Sequence, residues 1–106
     1  MTATTPAARV DVAPGTCWVD NYPGNRGRTI RVTEADTGPG ARYAWYVVVT
    51  LADKALNHDG TVRPGWRDTR RNQPKRILLN AFHAGPARTG YSPAARTLSP
   101  NRTEQP

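Results

Sequence analysis

The chain has 106 residues, and fifteen Lys or Arg against eight Asp or Glu give it a formal net charge of +7 at pH 7 and a pI near 10.5. This length allows at most one domain, whose small core excludes a deep enclosed ligand cavity. Arginine supplies thirteen of the fifteen basic residues, which indicates an anionic partner because a guanidinium binds phosphate through two parallel hydrogen bonds.

Codon bias in a GC-rich genome is an alternative explanation for the preference for Arg over Lys, although it does not explain the net charge.

The cysteine and histidine counts limit the possible sites further. One cysteine, Cys17, excludes an intramolecular disulfide and a cysteine-rich zinc site. No Asp or Glu lies at metal-ligand spacing from His58 or His83, so the histidines do not predict a metal site. We therefore predict no metal, no other cofactor and a packed Cys17 thiol.

The ends of the chain differ in composition from its centre. Residues 1–13 and 92–106 are rich in Thr, Ala, Ser and Pro, which predicts disordered tails around a domain at 14–91. The chain contains no apolar run of about 18 residues and no signal-peptide pattern, so we expect a cytoplasmic protein that does not bind a membrane.

Strand patterns dominate the predicted domain. Residues 16–19 predict a first strand. Residues 28–33 alternate between apolar and polar side chains, which predicts a second strand with Ile30 and Val32 on its buried face. Residues 43–51 have apolar side chains on both faces, as in a central strand, and Trp45 is predicted to join Trp18 in the core.

The second half of the domain predicts fewer regular elements. Residues 52–76 show no sustained period and predict a long loop, which in a compact domain is usually functional or disordered. Two turns are predicted in it, at 58–60 and 63–66. A last long strand that runs into a short turn is predicted at 76–82, and a closing piece at 89–91. Four or five short antiparallel strands without a helix predict a small SH3-like β-barrel, or an OB-like one, because closure hides the sheet edges.

A resemblance supports this fold. Residues 23–32, PGNRGRTIRV, resemble the KOW-type turn and strand of SH3-like barrels, and the pattern over 14–91 is similar to that of a family of small uncharacterised actinobacterial and actinophage proteins. The matching positions are Gly15, Trp18-Val19-Asp20, Pro23, Gly27-Arg28-Thr29, Val47-Val48-Val49-Thr50, Arg70-Arg71, Ile77, Phe82 and Thr89-Gly90-Tyr91. The chain departs from the family at Tyr22-Pro23-Gly24, where the family has Asp-Pro-Arg. The resemblance implies an SH3-like barrel and an actinobacterial or phage host, but no activity.

The densest positive charge lies in residues 63–76, RPGWRDTRRNQPKR, where six basic residues and a tryptophan accompany one aspartate. Such a loop can follow phosphates while its ring stacks on a base. The alternative is a solvated loop with Trp66 packed beneath it as part of the core.

A second basic group lies around the predicted second strand. Arg26 and Arg31 are favoured there for contact with an anion, whereas Arg28 satisfies the turn or pairs with Asp20. The predicted nucleic-acid-binding residues are therefore Arg26, Arg31, Arg63, Trp66, Arg67, Arg70, Arg71, Lys75 and Arg76.

The residues that could act as catalytic groups do not predict an enzyme. His58-Asp59 and Asp20 lack a third catalytic member, a nucleophile elbow and a Gly-rich phosphate loop. We predict no catalytic residues, no small-molecule substrate and a protein that binds DNA or RNA mainly through phosphates. The alternatives are a phage-encoded module that binds a bacterial host protein through its barrel face or a sheet edge, and a structural component of a virion.

Overall fold

The computed structural model describes residues 11–94 of the chain. Five antiparallel strands form one sheet in the order β4-β3-β2-β1-β5. The strands are β1 (Cys17–Asp20), β2 (Thr29–Ala35), β3 (Tyr43–Thr50), β4 (Lys75–Leu78) and β5 (Tyr91–Pro93). The helical segments of this part are the 3₁₀ turns η1 (Pro23–Asn25), η2 (Asp53–Ala55), η3 (Thr69–Arg71) and η4 (Leu79–Ala81). The predicted mainly β fold with short antiparallel strands is confirmed.

The last long strand is shorter than the sequence predicts. A long strand that runs into a short turn was expected at 76–82; the turn forms as η4, but β4 is only four residues long and ends at Leu78. The Leu79 amide donates to the Arg42 carbonyl at 2.8 Å, and the Phe82 amide donates back to the Leu79 carbonyl at 3.1 Å. This turn places the Phe82 ring in the core, a tertiary contact that the apolar run itself does not reveal.

The core covers one face of the sheet. Ile30 and Val32 are both 0% exposed, as the alternation in β2 predicts. The Trp18 ring packs edge-on against the Phe82 ring at a centroid distance of 4.9 Å. Trp45 was expected in this core, but it lies half-buried on the opposite face, because the even-numbered residues of β3, such as Ala44, take the buried positions.

The sheet remains open within the described residues. β4 and β5 form its two edges and do not pair with each other. The segment after β4 nevertheless reaches the opposite edge, where Phe82 forms a parallel bridge with Tyr91 and the His83 amide donates to the Tyr91 carbonyl at 2.8 Å. The sheet therefore curls toward closure without completing a barrel through strand pairing.

The described fold extends past both ends of the predicted domain at 14–91. Strand β5 runs to Pro93, Ala94 is 3% exposed, and Val12 packs against the core. The remainder of the predicted tails, residues 1–10 and 95–106, lies outside the described residues. No helix among residues 11–94 is long and apolar enough to cross a lipid bilayer.

The predicted loop at 52–76 consists of a series of local turns. A bridge between Leu56 and Val62 closes a small hairpin. Both turns expected in this segment form, with Gly60 at φ 88° and Gly65 at φ 88°, a region that favours glycine. Near its end the segment forms η3, whose first residues are capped by Asp68, and its last two residues already belong to β4. Its basic side chains are therefore presented on a defined backbone.

Candidate functional site

A buried ion pair holds the turn between β1 and β2. Arg28 Nη1 lies 3.0 Å from Asp20 Oδ2, and their side chains are 20% and 7% exposed. Asp20 also accepts hydrogen bonds from the Tyr22 amide at 2.9 Å and from Asn25 Nδ2 at 3.0 Å. A buried carboxylate needs such partners. The predicted pairing of Arg28 with Asp20 is confirmed, and it positions the turn that carries Arg26.

The same guanidinium lies against two tyrosines. Arg28 Nη1 donates to the Tyr91 hydroxyl at 2.7 Å, and its guanidinium carbon lies 5.8 Å from the Tyr46 ring centroid and 6.0 Å from that of Tyr91. Burial lowers the pKa of Arg28, but the hydrogen-bonding and electrostatic effects of Tyr91 and Tyr46 together outweigh burial, so the net pKa is raised. Burial also raises the pKa of the Tyr91 phenol, against the effect of Arg28. Arg28 is therefore a fixed and permanently charged group.

Residues of η2 bring two basic segments together. The Asp53 amide donates to the Arg26 carbonyl at 2.7 Å, and the Arg63 guanidinium donates to the Lys54 carbonyl at 3.5 Å. Lys54 Nζ lies 5.8 Å from the centroid of the Trp66 ring, within the range of a cation–π interaction. Three predicted contact residues that are distant in sequence thus lie around a lysine that the sequence analysis missed.

Two exposed aromatic rings flank that lysine. Trp66 is 45% exposed and Tyr22 is 56% exposed, so the alternative that Trp66 belongs to the core is wrong. A Cβ atom on Gly24 would lie 2.9 Å from the Tyr22 ring and 3.7 Å from Lys54 Nζ, which places both groups beside one backbone position. We call Tyr22, Arg26, Lys54, Arg63 and Trp66 the Lys54 cluster.

A second pair of predicted residues lies on the uncovered face of the sheet. Arg31 opposes Val47 across β2 and β3, and Arg76 opposes Trp45 across β3 and β4. Directly opposed residues share a face, and so do alternate residues of a strand. The Arg76 guanidinium also lies 4.5 Å from the Tyr43 ring centroid. This outer face therefore combines two exposed cations with aromatic surface, but it is separate from the Lys54 cluster.

The predicted arginines near η3 differ in whether a carboxylate neutralises their charge. Arg70 forms an ion pair with Asp68 at 2.7 Å and two further hydrogen bonds to the same carboxylate. These hydrogen bonds lower the pKa of Asp68 to about 2, so the charge of Arg70 is largely neutralised. Arg67 and Arg71 are exposed, and neither forms an ion pair with any residue between 11 and 94.

Lys75 lies apart from its neighbour Arg76. It opposes Tyr46 across β3 and β4, so it projects from the face of the sheet that carries the core. There it lines a cleft of about 160 Å³ together with Arg28. The nine predicted residues thus divide among the Lys54 cluster, the outer face, η3 and this cleft.

The carboxylates considered for acid–base chemistry hold turns. Asp59 Oδ1 accepts from the Thr61 amide at 3.0 Å and from its hydroxyl at 2.6 Å, and these hydrogen bonds lower the pKa of Asp59. The Asp20 carboxylate forms the ion pair with Arg28. Residues 11–94 contain no group of three or more His, Cys, Asp or Glu side chains placed to hold a metal ion.

Several residues of these surfaces were missed by sequence reasoning. Lys54 and Tyr22 belong to the Lys54 cluster, and Tyr43 and Trp45 belong to the outer face. Lys54 stands alone in a segment that otherwise resembles a single helical turn, so no local charge run marks it. The exposure of an aromatic residue depends on tertiary packing and carries no local signal.

No protein-family model matches this sequence, and neither the curated proteins nor the solved structures searched contain a match to it.

Proposed function

We propose that this protein binds nucleic acid without catalysing a reaction on it, mainly through contacts to phosphates. The observation that carries the proposal is the Lys54 cluster, in which two exposed rings lie beside Lys54, the Arg63 side chain contacts the Lys54 backbone, and the Arg26 backbone is bound to the same turn. Between residues 53 and 76 the chain has seven basic side chains against three acidic ones. An exposed surface with this charge attracts a polyanion.

The free cations supply the phosphate contacts. Neither Arg67 nor Arg71 lies within ion-pair distance of a carboxylate among residues 11–94, although Asp68 attracts Arg71 electrostatically, so binding a phosphate breaks no existing ion pair. Each such contact releases a counterion from the nucleic acid, which makes the affinity favourable and salt-dependent. Arg70 contributes less, because it would first have to separate from Asp68.

The exposed rings favour unpaired bases. Tyr22 and Trp66 can stack on a base only where the base is not covered by its neighbours in a duplex, and such stacking contributes about 1–3 kcal/mol per base. A cation beside the ring adds phosphate contacts at the same step along the strand. We therefore expect single-stranded DNA or RNA to bind more tightly than a duplex.

Sequence preference is expected to be weak. Each of the four 3₁₀ turns in residues 11–94 has three residues, which is too short for a helix that reads the major groove. Phosphate contacts position a protein but carry no sequence information.

We also propose an SH3-like barrel as the finer description of the fold. The resemblance of residues 23–32 to a KOW-type turn supports it, as does the approach of Phe82 to Tyr91 at the opposite sheet edge. We also propose an actinobacterial or phage origin, which the resemblance implies, and a cytoplasmic location.

Fluorescence anisotropy with a labelled single-stranded oligonucleotide tests the proposed function. The variant Arg67→Ala/Arg71→Ala removes two exposed cations of the basic segment at 63–76, which also supplies Arg63 and Trp66 to the Lys54 cluster. The matched control Arg42→Ala/Arg88→Ala removes two exposed cations elsewhere, so both variants have the same net charge. We expect about tenfold weaker binding for the first variant and little change for the control. Equal losses, or no binding by the wild type, would show that the proposal is wrong.

The outer face supports a second candidate function, binding of a bacterial host protein. Val49 is 40% exposed and Leu78 is 47% exposed, and β4 pairs on one side only, leaving an edge to which a partner strand can add. A pull-down from a nuclease-treated actinobacterial lysate separates the candidates. Partners that survive nuclease favour this function, whereas partners lost with the nucleic acid favour the first.

A further inference from the structure

A cleft between β3 and the segment before β4 shares no residue with the Lys54 cluster. Its volume is about 160 Å³. The lining residues come from the middle of β3, from η3 and the residues after it, from the position before β2 and from the start of β4. They are Arg28, Tyr46, Val47, Val48, Thr69, Asn72, Gln73 and Lys75.

The polar part of this lining donates hydrogen bonds and carries positive charge. Arg28 and Lys75 are basic, and no lining residue is acidic. Asp20 balances the charge of Arg28 from behind, through the ion pair at 3.0 Å. Lys75 has no carboxylate partner among residues 11–94, so it leaves an uncompensated positive charge in the cleft.

Arg28 is held in place before any ligand arrives. Its hydrogen bonds to Asp20 and Tyr91 both start at Nη1, and a guanidinium has five N–H groups, so other donors remain for a ligand. A donor that is already positioned loses little conformational entropy when it binds. Val48 adds apolar surface, which strengthens charge-assisted hydrogen bonds by lowering the local dielectric constant.

The size of the cleft limits the ligand to a single chemical group. A volume of 160 Å³ corresponds to about five water molecules. It is smaller than the roughly 300–1,000 Å³ of sites that enclose a whole small molecule. A phosphate group fits this space, and its oxygens suit a site that offers donors and no carboxylate.

We propose that this cleft binds one phosphate group of a nucleic-acid strand. Arg28 and Lys75 bind the anionic oxygens, and Thr69, Asn72 and Gln73 donate neutral hydrogen bonds from the facing wall. The choice of a nucleic-acid strand as the source rests on the proposed function, whereas the choice of phosphate rests on the lining alone. The group is either an internal phosphodiester or a terminal 5′-phosphate.

The first test uses inorganic phosphate as the probe. Titration into ¹⁵N-labelled protein at constant ionic strength, with chloride as the reference anion, is expected to shift the backbone amide signals of residues 46–48, 69–73 and 75. Lys75→Gln removes the free charge of the cleft and is expected to weaken the Kd for phosphate roughly tenfold. Arg88→Gln, at an exposed residue outside both the cleft and the Lys54 cluster, makes the same charge change and is expected to leave that Kd unchanged. Equal Kd values for Lys75→Gln and the wild type would overturn the proposal.

The second test identifies the source of the phosphate and separates the two proposals. Oligonucleotides with a 5′-phosphate or a 5′-hydroxyl are titrated into the wild type and Lys75→Gln. Tighter binding of the 5′-phosphate form by the wild type alone assigns the cleft to a strand end, and equal loss for both forms in Lys75→Gln assigns it to an internal phosphate. If oligonucleotides bind but the cleft amides do not respond, the proposed phosphate site is wrong and the proposed function stands. If the cleft amides respond to phosphate but no oligonucleotide binds, the proposed function is wrong and the phosphate site stands.

Discussion

Arg28 and Asp20 join the end of β1 to the start of β2 through an ion pair of 3.0 Å, with the Asp20 side chain only 7% exposed. The carboxylate also receives the Tyr22 amide and the Asn25 side chain, so it organises the whole turn at 21–28. The same turn presents Tyr22 and Arg26 to the Lys54 cluster. A structural ion pair therefore determines where part of the candidate binding surface lies.

Replacing Asp20 is expected to destabilise the fold strongly. Asp20→Ala leaves Arg28 partly buried without its counter-ion and removes the acceptors of two further donors, at an expected cost of about 3 kcal/mol in the free energy of unfolding. Urea denaturation followed by tryptophan fluorescence measures this change. Glu34→Ala, at an exposed carboxylate, is the control and is expected to cost less than about 0.5 kcal/mol. Similar costs for both variants would contradict the structural role of the pair.

A glycine in the same turn is expected to resist substitution. Gly27 has φ 90°, and a Cβ atom there would collide with the carboxylate of Asp53. Gly27→Ala is therefore expected to lower the free energy of unfolding by about 1–3 kcal/mol. Gly40 has no atom within 4 Å of an added Cβ, so Gly40→Ala is the matched control, with little expected change. Thermal denaturation of both variants checks the difference, and equal melting temperatures would contradict it.

Tyr91 is expected to make the fold sensitive to high pH. Burial raises the pKa of its phenol above the ordinary value of 10.0. The folded state therefore holds this proton more tightly than the unfolded state does, so the associated stability is present below pH 10 and is lost as the pH rises through the folded-state pKa.

Melting temperatures measured between about pH 8 and 11 test this effect. The wild type is expected to lose stability above pH 10, the ordinary pKa of the phenol. Tyr91→Phe is expected to be less stable at neutral pH, because Arg28 loses an acceptor, but to have a shallower decline at high pH. Tyr22→Phe, at an exposed ring, is expected to retain the wild-type decline. The same slope in Tyr91→Phe and the wild type would show that another group causes it.

Sequence reasoning predicted the strands better than the surfaces they form. The strict alternation of β2 predicted Ile30 and Val32 in the core, because apolar and polar residues alternate along a strand that has one buried and one solvent-exposed face. Trp45 was misplaced because β3 is apolar on both faces, and its period does not say which face is covered. The end of β4 at Leu78 depends on the hydrogen bond from the Leu79 amide to the Arg42 carbonyl. The local sequence pattern does not predict this long-range contact.

The candidate site was predicted in part for a similar reason. The charge run at 63–76 is visible in the sequence, so Arg67 and Arg71 could be proposed as contact residues. The neutralisation of Arg70 by Asp68 and the placement of Arg26 beside Lys54 depend on turn geometry. Whether Trp66 packs inward or stays exposed depends on the space left beneath its loop, and the structure leaves it 45% exposed.

Trp66 is expected to contribute binding energy specifically to single strands. Trp66→Ala is expected to weaken single-strand affinity by about 1–3 kcal/mol, or roughly 5- to 150-fold, and to affect duplex affinity less. Leu78→Ala removes another exposed apolar side chain outside the Lys54 cluster and serves as the control. Anisotropy titrations with both kinds of DNA measure the effect. An equal loss for single strand and duplex would exclude base stacking by this ring.

Salt is expected to weaken binding in proportion to the number of free cations. Six contacts from Arg26, Lys54, Arg63, Arg67, Arg71 and Lys75 predict a slope of about −4 for log K against log salt with a single strand, or about a 300-fold loss between 50 and 200 mM. Removing Arg67 and Arg71 removes two contacts, so the slope is expected to fall to about −3. The variant Arg42→Ala/Arg88→Ala is expected to keep the wild-type slope. A slope near zero for the wild type would exclude phosphate contacts as the main source of affinity.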